Sequence, residues 1–543
     1  MKRYPGIILL VLCVQLAWGQ EQLSLEKQAA IYYARYDYAR AASMYERIAA
    51  KRKEKTSTQV LERLADSYRM YNQYQRSADW YSKLLARPDA PPDARLYYGD
   101  MLKCLGKYAE AKAAYTQYAS SGNADRVKNR IAGCDAAVEW MQSPTAVYIR
   151  NVERLNTAKS DWGATSYPGG VVFMSDTLYR HQLRKGSRFN RNKYGRNNRE
   201  YYKLYEGDTA NYGNVYINDF SPAFNWSRYH VGPVSFDKQY QVAYVTMTNP
   251  NRHVPGVKEH RVKYGLRRLE LYAVEKDRSG KWAKPVPFAY NKPEAYSLGH
   301  AVLSNDGNTL YFASDMPGGQ GGTDIWYSER QTDGKWGTPV NCGPAINTPD
   351  EEEFPSIAPD GSLYFASKGW PGMGGFDIFH ASGSKNQWSA PENLRYPTNS
   401  PGDDFYFVTN TNGNTWFASN RDGGKGSDDI YSITTPETFT ITKVPVALVI
   451  PFIGKVCPSL DGACIYIYNR QRGIGWCFIG TPGREITMTL EKETDYVIRM
   501  TYAGERRDSV ELNTRGMKDG ELLRKDICPP KKMESIKPKG NGH

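Results

Sequence analysis

"GGQGGTDIWY", residues 318–327, begins three residues after the apolar run TLYFAS (309–314). A glycine-rich loop beside a strand can cradle a phosphate, hold calcium or turn the chain. A phosphate cradle ends in Lys followed by Ser or Thr, because the backbone N–H groups need a cation and a metal-binding hydroxyl beside them. Here the glycines run into Thr323 and Asp324 instead. Calcium-loaded parallel β-helices stack a Gly- and Asp-containing nonapeptide in tandem, so a second copy should follow at once. The next copies are PGMGGFDIFH at 371–380 and DGGKGSDDIY at 422–431. The Ile after Asp falls at Ile325, Ile378 and Ile430, 53 and then 52 residues apart. A unit of about fifty residues matches one four-stranded propeller blade. On this reading Asp324, Asp377 and Asp429 cap the turn before a third strand rather than bind calcium.

Each loop has the same upstream partner. HAVLSNDGNTLYFAS (300–314), FPSIAPDGSLYFAS (354–367) and FYFVTNTNGNTWFAS (405–419) are apolar runs flanking an Asp-Gly or Asn-Gly pair. That is a hairpin signal, because both turn residues must tolerate positive φ. Downstream, IWYSERQTDGKWGTPVN and IFHASGSKNQWSAPENL each supply a third strand, a turn and a Trp near a Pro. Residues 232–249 with RRLELYAVEKDRSGKWAKPV repeat the pattern without the glycines. WGATSYPGGVVFMSD (162–176) opens a first unit, whose next strand is expected after a long insertion, near Asn214 to Tyr216. The count is five blades, or six if strands from the two ends close another.

The 543 residues exceed one core and suit about three domains. A net charge of +13 would permit contact with acidic surfaces, but the basic residues are dispersed. MKRYPGIILLVLCVQLAWGQ has a basic start, an apolar run and a small-x-small cleavage site between Gly19 and Gln20. It reads as a signal peptide over 1–19, a better fit than lipidation at Cys13, which follows Leu12. No later run approaches the roughly 20 apolar residues of a membrane span. The expected location is therefore the periplasm, and export makes cysteines disulfide candidates.

Residues 24–142 read as helices. YDYARAASMYERI, NQYQRSADWYSKL and GKYAEAKAAYTQY place Tyr, a small residue and Tyr at Tyr38, Ala41, Tyr45; Tyr74, Ser77, Tyr81; and Tyr108, Ala111, Tyr115. The copies are 36 and 34 residues apart, similar to the tetratricopeptide (TPR) repeat, with Ala65 and Gly99 at the small position of the first helix. ADRVKNRIAGCDAAVEWMQ would be the capping helix. Cys134 falls in it one repeat after Cys104, so a 104–134 disulfide is expected, against two buried thiols as the alternative. Cys342 reads as a buried free thiol. Residues 444–528 alternate in short strands and hold Cys457, Cys464, Cys477 and Cys528. They resemble the carboxypeptidase-regulatory-like domain, a non-catalytic transthyretin-like sandwich. The tail 529–543 is basic and expected to be disordered.

The fold class is thus multidomain, α plus all-β: a helical-repeat solenoid at 24–142, a five-bladed (or six-bladed) β-propeller at 147–435 and a small β-sandwich. Catalytic motifs are absent. There is no G-x-S-x-G elbow, no H-E-x-x-H and no C-x-x-C pair, so no catalytic residue, metal site or cofactor is expected. His300, at the head of a blade strand, reads as a packed structural residue. NTPDEEEF (347–354) and NSPGDDF (399–405) put carboxylates before the first strands of consecutive blades. Glu352, Glu353, Asp403 and Asp404 could form an acidic patch at one channel mouth, or be solvated loop charges. The basic, aromatic-bearing stretch 180–203 would suggest RNA in a cytoplasmic protein. In an exported one it reads as an arm for an acidic partner or surface, or as a solvated loop, and no nucleic acid is expected.

Signal peptide, helical repeats, blades of the form HAVLSNDGNTLYFASDMPGGQGGTDIWYS and the sandwich, in that order, resemble the PorE-type proteins of Bacteroidota, and the blade motif is similar to TolB-type propeller repeats. The resemblance implies a non-catalytic, outer-membrane-associated scaffold of the type IX secretion or gliding machinery. Such a scaffold would bind protein partners through the helical groove and the propeller face. Relatives carry an OmpA-like peptidoglycan-binding domain, for which this sequence leaves no room, so direct peptidoglycan binding is not expected. Two readings stand beside it: a propeller-based periplasmic hydrolase, cleaving peptides or glycans, and a TolB-like envelope factor.

Overall fold

A computed structural model describes residues 23–528, apart from 178–192, 209–216, 252–253, 255, 260–261, 411–412, 435–448, 461–462, 471–473, 480–482, 484, 503–505 and 519–520. The expected signal peptide with its Gly19/Gln20 site, most of the basic insertion and the 529–543 tail lie outside the described residues. Backbone packing divides the chain into two units. One holds Met1–Ala94 with Lys193–Arg199 and Gly256–Tyr264; the other holds the remainder.

The first unit contains helices α1 (Leu25–Ala34), α2 (Tyr38–Arg52), α3 (Thr58–Arg69) and α4 (Tyr74–Leu85). Ser24 and Ser57 cap α1 and α3, accepting from Lys27 N and Val60 N. The small residues predicted from the repeat are where helices touch: Ala41, Ala65 and Ser77 are fully buried. Ser77 Oγ donates to the Ala65 carbonyl at 2.9 Å, an approach that a larger side chain would block. Tyr45 and Tyr81 fill the space beside them.

The second unit takes in most of α5 (Asp93–Cys104), then α6 (Tyr108–Tyr118) and α7 (Ala124–Gln142). Gly99 again faces a tyrosine, since an added Cβ would meet the Tyr115 ring at 2.6 Å. The helices seat on the glycine loop at 369–375. Gly133 meets Gly372 backbone to backbone, and Asn129 Nδ2 donates to Gly369 O at 2.8 Å. Arg130 bridges Asp100 (3.1 Å) and Asp350 (2.9 Å). Met373 is buried among Leu102, Tyr108 and Cys134. This corrects the expected 104–134 disulfide, because both cysteines are free thiols. Cys134 packs against Met373, and the Cys104 sulfur lies where Gly375 leaves room. Burial holds Cys134 up at about 11 and raises Cys104 well above the usual thiol range.

Five four-stranded antiparallel sheets form the body of this unit in a propeller-like array. From inner to outer strand, sheet I is Asp161–Tyr167, Gly170–Ser175, Lys203–Asp208 and Ile217–Asp219. Its third strand begins within the stretch read as insertion, earlier than expected. Sheet II is Val231–Phe236, Val242–Thr248, Leu269–Glu275 and Val286–Pro287; sheet III is Leu298–Leu303, Thr309–Ser314, Asp324–Glu329 and Val340–Asn341. Sheet IV is Glu352–Ile357, Leu363–Ser367, Asp377–Ala381 and Glu392–Asn393. Sheet V is Asp404–Thr409, Thr415–Ser419 and Asp429–Thr434, with Tyr148–Asn151 as its outer strand. The two ends of the region therefore meet inside the fifth sheet rather than forming a sixth.

The repeated loops stitch sheet to sheet. Asp324 accepts from Gln320 N and Gly321 N, Asp377 from Met373 N and Gly374 N, Asp429 from Lys425 N and Gly426 N. Each folded loop then presses on the entry to the next inner strand. A Cβ at Gly321, Gly374 or Gly426 would lie 2.3, 1.9 or 2.0 Å from Thr348 O, Gly402 O or Lys159 O. Glycine is needed there for close approach, not for positive φ. Backbone bonds from Glu352 N to Thr323 O, Asp404 N to Phe376 O and Asp161 N to Asp428 O run the same way, III to IV to V to I. Val231 N to Tyr202 O joins I to II, and Ser235 Oγ to Ala301 O joins II to III.

Residues 449–528 form two more sheets. Val449–Val456 lies between Glu485–Glu491 and Leu523–Ile527, while Cys464–Asn469 and Asp495–Tyr502 pair centrally between Ile474–Ile479 and Arg506–Asn513. Phe452, Ile465, Ile467, Leu490 and Ile498 fill the space between them. A disulfide joins Cys457 to Cys528 across 71 residues.

Candidate functional site

The five inner strands share one irregularity. Each carries a β-bulge, and the residue in it has positive φ: Gly163, Gly232, His300, Phe354 and Tyr406. Bulges re-aim side chains, and a non-Gly residue held there costs roughly 1–3 kcal/mol that its surroundings must offset. The offset comes from cross-sheet bonds: His300 N to Thr246 Oγ1 at 2.7 Å, Tyr406 OH to Val234 O at 3.2 Å, and Ser356 Oγ to Phe407 O. The result is an aromatic floor. Trp162 makes edge contacts with Phe354, Phe405, Tyr406 and Tyr202 at 5.4–6.0 Å, and Phe354 lies against Phe405 at 4.9 Å.

The position just before the bulge residue is Trp162, Val231, Gly299, Glu353 and Phe405. One sheet thus presents a carboxylate where four do not. Glu353 Oε2 lies 3.7 Å from His300 Nδ1, beyond hydrogen-bond range, and that buried nitrogen makes no hydrogen bond. His300 stacks on Phe354 at 4.5 Å, and burial lowers its pKa to about 4, so the imidazole is neutral at physiological pH. Lys368 stands beside them, its Nζ 2.6 Å from Glu351 and 4.2 Å above the Phe376 ring. Burial alone would lower its pKa; Glu351, Asp403 and Glu353 more than offset that and raise it.

The expected acidic patch is split by its own alternation. Successive strand residues face opposite ways, so Glu351 and Glu353 share a side and Glu352 faces the other. Glu352 is wholly buried and accepts from Thr348 N, Thr348 Oγ1 and Ser367 Oγ at 2.6–2.7 Å; burial raises its pKa to about 7. Asp404 is its counterpart in sheet V, buried against Arg421 at 2.6 Å and accepting from Ser400 N and Oγ. Asp403 accepts from Phe376 N and Asn420 Nδ2, beneath Lys368. Of the four, Glu353 is the one turned towards His300. Glu351 and Lys368, which sequence reasoning passed over, join it; the DEEEF run with the same alternation could have indicated Glu351. Among the described residues no cluster of His, Cys, Asp or Glu is arranged to hold a metal.

No family model and no curated protein matches the chain. Solved structures do. A Mycobacterium tuberculosis puromycin-hydrolyzing peptidase matches with 10% identity over 65% of this chain and 45% of its own, at a TM-score of 0.26. A xylan β-1,4-xylosidase from Bacillus halodurans C-125 matches with 9% identity over 68% and 95%, at 0.31. An α-L-arabinofuranosidase from Lactobacillus brevis matches with 11% identity over 55% and 94%, at 0.31. The chain spans about half the length of the peptidases it matches. These neighbours are named as hydrolases, where a non-catalytic secretion scaffold and a chain without enzymatic activity were expected. No residue role is carried over from them.

Proposed function

We propose that the chain is an exported hydrolase working by carboxylate acid–base chemistry at the mouth of a closed five-bladed β-propeller. A TPR-like region (24–142) and a carboxypeptidase-regulatory-like sandwich (444–528) would flank it, in the periplasm, in a PorE-type domain order. The supporting observation is the convergence of Glu353, Glu351 and Asp403 on Lys368, next to a neutral His300 and an aromatic floor. Glu353, against rings and an uncharged imidazole, and Glu351, paired with the Lys368 ammonium, would share the acid–base work: one gives a proton to the leaving atom as the scissile bond breaks and the other takes the proton from the attacking water. Ser160 is fully buried and donates to Asp428, so it is no nucleophile.

The test is a panel of chromogenic glycosides and peptide anilides with the full chain. Glu353→Gln should lower any turnover by about 10²–10⁴-fold, with Glu392→Gln as an outer-strand control. Turnover equal to wild type in Glu353→Gln would end this reading.

A further inference from the structure

We infer that the mouth takes its substrate by a primary ammonium group held between His300 Nδ1 and Glu353 Oε2, so that the substrate is an amine, either a peptide with a free amino terminus or an amino sugar; this rests on the proposed hydrolase site. The two atoms lie 3.7 Å apart, too far to bond one another. An ammonium nitrogen about 2.9 Å from each would see them roughly 80° apart, near enough to the tetrahedral spread of its N–H bonds for two nearly linear hydrogen bonds. The place is open to solvent, since the side chains of Glu353, Lys368 and Glu351 are 23%, 40% and 44% exposed. His300 is its buried wall, with 10% of the side chain exposed, and the Nδ1 aimed at Glu353 makes no hydrogen bond.

Packing does not explain that nitrogen. Phe354 and Tyr406 stand at the same bulge position in sheets IV and V, so the frame accepts a plain ring there and the imidazole nitrogen is surplus to it. A buried polar atom left without a partner is costly, and here it adds to the cost of a left-handed backbone at His300. Burial keeps the imidazole neutral, and Nδ1 accepts a hydrogen bond when the single ring proton is on Nε2. A water would span the same gap, but the charge around it selects a cation. Glu351, Glu353 and Asp403 surround the Lys368 ammonium, so three carboxylates face one positive charge. Lys368 also shows how the mouth seats an ammonium: its Nζ lies 2.6 Å from Glu351, two residues before Glu353 on the same side of the strand. An anionic ligand would be repelled here, and an uncharged hydroxyl would leave the excess of negative charge as it is.

Nitrogen-15 spectra of the full chain, labelled at histidine, test this with n-butylammonium as probe and n-butanol as its uncharged control. The His300 resonances, assigned by their loss in His300→Phe, should show the Nε2–H tautomer and shift saturably with n-butylammonium alone. Glu353→Gln should raise the apparent Kd about tenfold, roughly 1.4 kcal/mol. An Nδ1–H tautomer, an equal response to n-butanol, or an unchanged Kd in Glu353→Gln would overturn the inference. Leucine p-nitroanilide and p-nitrophenyl glucosaminide separate the two sources of the amine, each set against its N-acetyl form. At least one free amine should exceed its acetylated counterpart in kcat/KM by about tenfold or more. Cleavage of the acetylated forms as fast as the free amines would keep the hydrolase and remove the ammonium site. Saturable, Glu353-dependent binding of n-butylammonium by a chain that cuts none of the glycosides and anilides would keep the ammonium site and remove the hydrolase.

Discussion

Replacing Gly374 by alanine should destabilise the protein far more than replacing Gly361, and asparagine should separate the causes. An added Cβ at Gly374 would sit 1.9 Å from Gly402 O and 2.6 Å from both Ser400 O and Pro401 O. All three are backbone atoms entering the inner strand of sheet V, so relief requires moving that strand away from the loop. The movement strains the Asp404 N to Phe376 O (2.8 Å) and Gly375 N to Gly402 O (3.2 Å) bonds. Two hydrogen bonds at about 1 kcal/mol each and overpacking of about 1–3 kcal/mol give about 3–5 kcal/mol. Gly361 has φ +93° in a hairpin turn and nothing within 4 Å of an added Cβ. Its alanine variant should cost about 1–2 kcal/mol from left-handed backbone strain, much of which asparagine recovers. Urea unfolding followed by tryptophan fluorescence measures both pairs. If Gly374→Ala costs under about 1 kcal/mol, or if asparagine rescues position 374, the loop is glycine-rich for conformational freedom and the close-approach argument fails.

Stability should fall as pH rises from about 4 to 7. Burial raises Asp161 to about 6 and Glu352 and Asp377 to about 7. The folded state then binds protons that the unfolded chain releases near 4, and stability declines across that window; a flat or rising curve from pH 5 to 8 refutes the assignment. Cys457→Ser should cost about 2–5 kcal/mol, because it frees a long loop in the unfolded chain, read as a lower unfolding midpoint that reduction of the wild type reproduces. Alkylation of the denatured, unreduced protein should label Cys104 and Cys134 and leave Cys457 and Cys528 unmodified, with peptide mass mapping as the readout.

The frame was legible because its physics is local. The Asp-Gly and Asn-Gly pairs turn hairpins wherever they stand, and the spacing of Ile325, Ile378 and Ile430 follows from a four-stranded unit. Small residues at Ala41, Ala65, Ser77 and Gly99 marked helix contacts for the same reason. What could not be read were choices between distant surfaces. Cys104 and Cys134 lie one repeat apart, but the loop at 372–375 packs between the helices and the sheets and takes both side chains. Lys368 carries no motif, since its neighbours Glu351 and Glu353 precede it by a whole hairpin. The outer strand of sheet V, Tyr148–Asn151, precedes the rest of its sheet by about 250 residues, beyond the reach of any local pattern.

The internal repeat also serves as its own control on function. Asp161, Glu352 and Asp404 occupy one position in three sheets, and all three are fully buried and receive backbone N–H groups from the residues just before them. A carboxylate that recurs in three of the five sheets, each time with a backbone N–H four residues earlier as its partner, is explained by the frame. One that departs from the repeat is not. Beside the bulge, Glu353 replaces Trp162, Val231, Gly299 and Phe405, and after the second strand Lys368 stands where Asp176, Asn249, Asp315 and Asn420 stand in the other sheets. Asp176, Asp315 and Asn420 each accept from a backbone N–H at the entry to their inner strand; Lys368 instead sends its side chain to Glu351. Sheet IV therefore breaks the common pattern at two positions, and both breaks face the same carboxylate cluster. Restoring the frame residue at each, Glu353→Phe and Lys368→Asn, should leave thermal stability within about 1 kcal/mol of wild type while abolishing activity, whereas Glu352→Ala should unfold the sheet. Loss of stability in the first two variants as large as in the third would return Glu353 and Lys368 to the frame.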